Sequence, residues 1–211
     1  MNLRSLLYAT MRHTVGSGWM YRLPRHYDRI IEKRFGVHRD RAYRYFLEQV
    51  EGLEGAKTCL DVACGTGLTS VWMARELPKL SVVGIDANIG MLDVAKRRAQ
   101  QQGVADRCQF LRLDATTVEL ADLPVRGIDV VTCSLGYSVI PAWEAAFDQT
   151  CRILADDGVY AIFDQYEEDL TVPDFASDQT RQSWRLIENR FAETETKWFG
   201  NRFISFGKGK K

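Results

Sequence analysis

In the run Leu60-Asp61-Val62-Ala63-Cys64-Gly65-Thr66-Gly67, an acid precedes two closely spaced glycines. Gly65 and Gly67 lack a Cβ and let the backbone approach a ligand closely. Asp61 decides which ligand. A dinucleotide loop aims its helix N-terminus at a pyrophosphate and carries a third glycine. Here that third position is Ser70, and the nearby carboxylate would repel phosphate. It would attract the ammonium of an amino-acid-bearing nucleoside. Asp86 follows about 20 residues past the glycines, where a strand-tip acid hydrogen-bonds ribose hydroxyls.

Chemistry at these positions needs elements that hold them. Residues 58–63 read as a buried strand and 68–77 as a helix ended by Pro78, so the glycines form a strand-to-helix turn. Residues 80–85 form a second apolar strand ending in Asp86 and Ala87, followed by a helix over 89–102 with Met91 one turn in. A third strand over 108–113 ends in Asp114-Ala115, and a fourth over 128–133 ends in Ser134. Four strand tips thus converge on one edge. Beyond them, a helix over 141–154 and a fifth strand over 159–164 are expected, then a helix over 181–191. Residues 194–199 and 202–206, joined by Gly200-Asn201, read as a closing antiparallel hairpin. The tail 207–211 reads as frayed. The expected fold is α/β: a Rossmann-like, seven-stranded, mostly parallel sheet with helices on both faces and a closing hairpin.

The order DVACGTG, GID, RLDA, IDVVTCS, RILADDGVYAIFD resembles the class I S-adenosylmethionine-dependent methyltransferases. That resemblance implies S-adenosyl-L-methionine as cofactor. It implies that Asp61, Gly65 and Gly67 hold the methionine portion and Asp86 the ribose, with Ala63 and Ala87 also at the cofactor. Met91 would pack on the adenine, Asp114 and Ala115 would meet its edge, and Ser134 would complete the site. Many members carry Ser two residues after the ribose acid; this chain has Asn88. The phrase Tyr27-Asp28-Arg29 and the run from Ser134 to Ala146 are similar, more loosely, to bacterial lipid-headgroup N-methyltransferases and quinone C-methyltransferases. A small-molecule or lipid-type acceptor follows from that likeness. The alternatives are a non-catalytic cofactor-binding protein and an NAD-dependent dehydrogenase, the latter opposed by Asp61 and Ser70.

The total charge balances at 28 basic against 28 acidic residues, which argues against nucleic acid as a partner. The balance hides polarity. Residues 1–45 carry ten Arg/Lys against three Asp/Glu, whereas 156–180 carry eight acids and no base. Residues 1–55 are therefore expected to form a helical N-terminal lid over a core of residues 56–211. Leu3, Leu6, Leu7 and Met11 share one helical face in that lid. The basic segment either pairs with the acidic one or makes peripheral contact with an anionic membrane. No stretch is long and apolar enough to span a bilayer, and charges interrupt any signal-peptide core. The five cysteines show no Cys-x-x-Cys pair. They read as reduced core thiols of a cytoplasmic protein, with no metal expected.

Methyl transfer is in-line displacement, in which alignment supplies most of the rate. A hydroxyl or carbon acceptor also needs a base. His26 of the lid is the candidate base, and Tyr27 of the lid and Tyr137 beyond the fourth strand tip are expected to face the reacting methyl group. Asp164 to Glu168 are further proposed to attract a cationic acceptor.

Overall fold

Val159-Tyr160-Ala161-Ile162-Phe163 is apolar at every position, so this strand must be covered on both faces. The computed structural model, which describes residues 24–50, 52–168 and 180–210, covers it with helices on both sides. Helix α1 (Pro24–Ile31) runs through a π-helical turn (Glu32–Gly36) into α2 (Val37–Gln49). Strand β1 (Thr58–Val62), helix α3 (Leu68–Glu76), β2 (Ser81–Asp86), α4 (Ile89–Gln101), β3 (Cys108–Arg112) and β4 (Ile128–Ser134) then alternate. They are followed by α5 (Trp143–Ile153), β5 (Leu154–Gln165), α6 (Trp184–Arg190), β6 (Phe191–Phe199) and β7 (Arg202–Lys210).

The seven strands lie in the order β3-β2-β1-β4-β5-β7-β6. The first five are parallel; β7 pairs antiparallel with both β5 and β6. Strand order reverses between β1 and β4, and ligands of open α/β sheets bind in the crevice outside such a switch point. Strand alternation sends Cys59, Val159, Ala161 and Phe163 to the face covered by α2, α3 and α4. Leu60, Val62, Tyr160 and Ile162 go to the face covered by α5 and α6.

Three boundaries differ from the pattern reading. Strand β5 begins at Leu154, where helix periodicity was expected to continue. Ile128 pairs with Leu154 and Val130 with Val159, so Asp156-Asp157-Gly158 bulges within a strand instead of preceding one. Strand β6 begins at Phe191, because Gly207 leaves room for its ring: a β-carbon on Gly207 would lie 2.6 Å from Phe191 Cβ. The tail is paired as far as Lys210, opposite Phe191.

The amphipathic face of Leu3, Leu6, Leu7 and Met11 lies outside the described residues, as do residues 169–179 of the acidic segment expected to pair with it. Within the expected lid, Ala42, Tyr43 and Phe46 of α2 are fully buried in the sheet core. Helix α1 carries the residues that reach the strand tips. Among the described residues, no helix is long and apolar enough to cross a membrane, and no group of His, Cys, Asp and Glu could hold a metal ion.

Candidate cofactor cleft

The tips of β1, β2, β3 and β4 open into a cleft of about 680 Å³. Ala63, Gly65, Asp86, Ala87, Met91, Asp114, Ala115 and Ser134 all line it, together with Tyr27 from α1. Ile85, Leu113 and Val139 to Ala142 supply apolar walls. A smaller adjoining cavity shares Tyr27, Ala63, Gly65, Ser134 and Leu135, and adds Asp61 and Arg39. Ten of the sequence-derived positions thus meet in one place. The exceptions are instructive.

Gly67 is not among the residues that line either cavity. Its φ of +74° requires glycine, and a β-carbon there would lie 2.9 Å from Ala95 Cβ and 3.3 Å from the Phe110 ring. It therefore serves helix-to-sheet packing. Gly65, at φ +53°, would project its β-carbon into space with only the Ala63 carbonyl at 4.0 Å. The two glycines thus have separate functions.

Tyr137 is fully buried, which overturns its expected place beside the methyl group. Its hydroxyl pairs with that of Tyr160, which in turn bonds Thr150 at 2.8 Å, and burial pushes the Tyr137 phenol well up. Helix α5 covers it, with Phe147 packed edge-on at 6.2 Å. Tyr137→Phe should leave turnover unchanged and lower stability by about 1 kcal/mol, the typical net worth of a buried hydrogen bond. A matched pair of steady-state assays and denaturant titrations checks both parts.

Asp164 is likewise 1% exposed and accepts the Ser138 and Gln165 amides. Burial raises its pKa to about 6. Its acceptors are used inside the fold, so it cannot be the surface charge expected to draw a cationic acceptor. The His26 side chain lies outside the described residues.

Asp61 is 1% exposed on the α3 face of β1. Ser70 Oγ, one turn into α3, donates to its carboxylate, and Thr132 Oγ1 donates at 3.1 Å. Burial nevertheless pushes its pKa up to about 6. Ser70 was legible only as a missing glycine; its actual signal is a hydroxyl buried in the apolar run of α3. Asp86 accepts the Gly65 amide at 2.9 Å and the Asn88 amide at 2.8 Å. Burial raises its pKa, and these two amides oppose the rise. Asn88 caps α4, its Oδ1 accepting the Gly90 amide at 2.9 Å. A capping serine would do the same, so this departure preserves the local geometry. Asp114 is exposed and held below the usual carboxylate range by the backbone and hydroxyl of Thr116.

Two residues escaped the pattern reading. Arg39 is 6% exposed, bonded to Glu32 and Asp40, and lines the same small cavity as Asp61. Leu135 has φ +57°, and Ala63 across from it has φ +52°. A left-handed residue other than glycine costs about 1–2 kcal/mol, and such strain clusters at functional sites. The cleft's lining contains two carboxylates, Asp86 and Asp114, and no Lys or Arg. That chemistry suits a nucleoside without phosphates. The small cavity, of about 30 Å³, is lined by one cation, Arg39, and one acid, Asp61.

Comparison with known proteins agrees. Residues 59–158 match a family model described as a methyltransferase domain. The demethylmenaquinone methyltransferase of Lactobacillus johnsonii is 29% identical over 106 residues, covering 50% of this chain and 42% of that one. The release factor glutamine methyltransferase of Chlorobaculum tepidum is 30% identical over 103 residues, covering 48% and 35%. The chain thus spans less than half the length of these curated relatives. An O-methyltransferase family protein from Burkholderia thailandensis shares the fold with a TM-score of 0.71 at 13% identity, covering 92% of this chain and 61% of that one. Sheet order and cleft are those of the class I methyltransferase fold, and the family match lies over residues 59–158 of the 211. A structural neighbour named as the S-adenosylmethionine-dependent methyltransferase SibL has a TM-score of 0.61 at 19% identity, covering 78% of this chain and 54% of that one, and the acidic, phosphate-averse lining of the cleft fits such a donor.

Proposed function

We propose that the protein transfers a methyl group from S-adenosylmethionine to a small-molecule acceptor. The observation that carries this reading is a cleft at the switch point whose polar lining is acidic and whose adjoining small cavity is lined by both Asp61 and Arg39. When bound, the cofactor supplies a methyl carbon made electrophilic by its sulfonium. Asp86 receives the ribose hydroxyls, and Ile85, Met91 and Leu113 provide an apolar bed for the adenine, with Asp114, Ala115 and Ala87 at its edge. Ala63, Gly65 and Ser134 admit the chain of the amino acid, whose ammonium meets Asp61 and whose carboxylate meets Arg39. Tyr27 stands over the opening, where it excludes water and helps align the acceptor; alignment is worth most of the barrier lowering in such displacements.

The acceptor enters along Val139, Ile140 and Pro141, an apolar wall that favours an aromatic, quinone or lipid-type molecule. The relatives are named for a quinone and for a protein glutamine, so the shared segment does not select the acceptor. Ten basic residues in 1–45 would bring a lipid-type acceptor within reach by peripheral contact with anionic membrane. Flotation with phosphatidylglycerol vesicles at low salt should carry the protein upward; failure to float points to a water-soluble acceptor.

The test of the main reading has two arms. Calorimetry should detect S-adenosylhomocysteine and not NAD, and a methyl-transfer screen over lipid, amine, phenol and quinone pools should find an acceptor. NAD binding instead would make the chain a dehydrogenase. Donor binding with no transfer from any pool would make it a non-catalytic binding protein.

Asp61 gives a sharper check. Its pKa is about 6 in the fold against 3.8 outside it. A raised acid pKa adds stability that is full below pH 3.8 and lost as pH rises through about 6. At pH 8 the buried charge therefore costs about 3 kcal/mol. Asp61→Asn should accordingly raise the thermal midpoint at pH 8, an advantage that vanishes below pH 4. The same change should weaken S-adenosylhomocysteine, because the ammonium loses its counter-charge. A variant that is both more stable and equally tight would refute the pairing.

A further inference from the structure

Gly65 and Gly67 both sit at positive φ, 53° and 74°, a backbone with many accessible alternatives once the chain is released. The loop between them must be held from outside. On one side Asp86 accepts the Gly65 amide. On the other, the Thr66 hydroxyl donates to Asp28 Oδ1, Arg98 Nη2 donates to Asp28 Oδ2 at 2.6 Å, and Arg98 Nε donates to the Thr66 carbonyl at 2.9 Å. These contacts close a triangle between α1, the glycine loop and α4. Thr66 is 1% exposed, and the Arg98 and Asp28 side chains are 26% and 21% exposed. The pair is therefore partly shielded from solvent, and the screening that makes surface pairs weak is reduced.

Asp28 directly follows Tyr27, which lines both the large cleft and the small cavity. We propose that Asp28 is a positioning residue that latches α1 to the glycine loop, so that docking of Tyr27 over the cleft and ordering of the cofactor loop are one event. This assignment rests on reading the cleft as the S-adenosylmethionine site. Its consequence is linkage: whatever lifts α1 from the loop loosens the grip on the cofactor, and cofactor binding draws α1 down. The two carboxylates divide the labour. Asp86 fixes the loop to β2, and Asp28 fixes it to α1.

The experiment is hydrogen exchange of the ligand-free full chain, followed by calorimetry with S-adenosylhomocysteine. In Asp28→Ala, amides of 24–31 and of 65–68 should exchange about tenfold faster together, while those of β4 and β5 keep wild-type rates. Arg98→Gln, which removes the other partner, should reproduce the pattern. Asp28→Asn keeps an acceptor for Thr66 without the charge and should fall between. S-adenosylhomocysteine affinity should drop about tenfold in Asp28→Ala, and added S-adenosylhomocysteine should slow exchange of 24–31 in wild type but far less in the variant. Acceleration confined to 24–31, with the loop unchanged, would make Asp28 a local helix contact and overturn the latch. If wild type itself fails to bind S-adenosylhomocysteine, the cofactor reading fails while joint acceleration still establishes the mechanical coupling of helix and loop.

Discussion

Gly65→Val should fold and should not bind S-adenosylhomocysteine. The valine side chain would enter the cleft, since a β-carbon at this position meets nothing closer than the Ala63 carbonyl at 4.0 Å. Its cost to the fold is the left-handed backbone alone, about 1–2 kcal/mol, which a domain of ordinary stability survives. The cost to binding is steric exclusion, and the expected loss exceeds a hundredfold. Gly67→Ala provides the contrast two residues away. There the β-carbon would press on Ala95 and Phe110, so overpacking of about 1–3 kcal/mol adds to the backbone strain. Gly67→Ala should therefore unfold at markedly lower denaturant while any folded fraction binds normally. Thermal melts and calorimetry on the two variants should give opposite patterns. Normal binding by folded Gly65→Val would mean that the loop is structural only.

That contrast marks where sequence reading stops. A Gly-x-Gly turn announces a special backbone, and it did locate the cleft, but it does not say which glycine faces outward. The answer depends on Ala95 and Phe110, residues contributed by other elements. Asp86 and Asp61 were legible because a strand-tip acid at a fixed spacing has few structural reasons to exist. Tyr137 was misread because proximity to the β4 tip was taken for exposure; the chain turns down at Leu135, and the ring enters the core beneath α5. No pattern tied Ser70, Arg39 or Asp28 to its partner. Each acts through a partner far along the chain: Ser70 through Asp61, Arg39 through the cavity that Asp61 shares, and Asp28 through Thr66 and Arg98. The fold was more legible than the site, since parallel strands and their covering helices follow from local periodicity. Its errors fell where the bulge at Asp156-Asp157-Gly158 and the space above Gly207 override that periodicity.

Asp86 carries the second large effect, and it has two duties that must be separated. Its carboxylate accepts the Gly65 and Asn88 amides, so it shapes the loop before any ligand arrives. The proposed ribose contact would add charge-assisted hydrogen bonds, worth about 1.5–3 kcal/mol each. Asp86→Ala should therefore weaken S-adenosylhomocysteine by about 10- to 150-fold and also lower stability, since two amides lose their acceptor. Asp86→Asn retains a carbonyl oxygen for one amide and should recover part of the stability while binding stays weak. The decisive comparison uses S-adenosylhomocysteine and its analogue lacking the ribose hydroxyls, with wild type and Asp86→Ala as the other axis of a double cycle. Wild type should prefer the natural compound, whereas the alanine variant should hold both with similar weak affinity. If both proteins discriminate equally, the ribose is held elsewhere, and Asp86 is left with the loop alone.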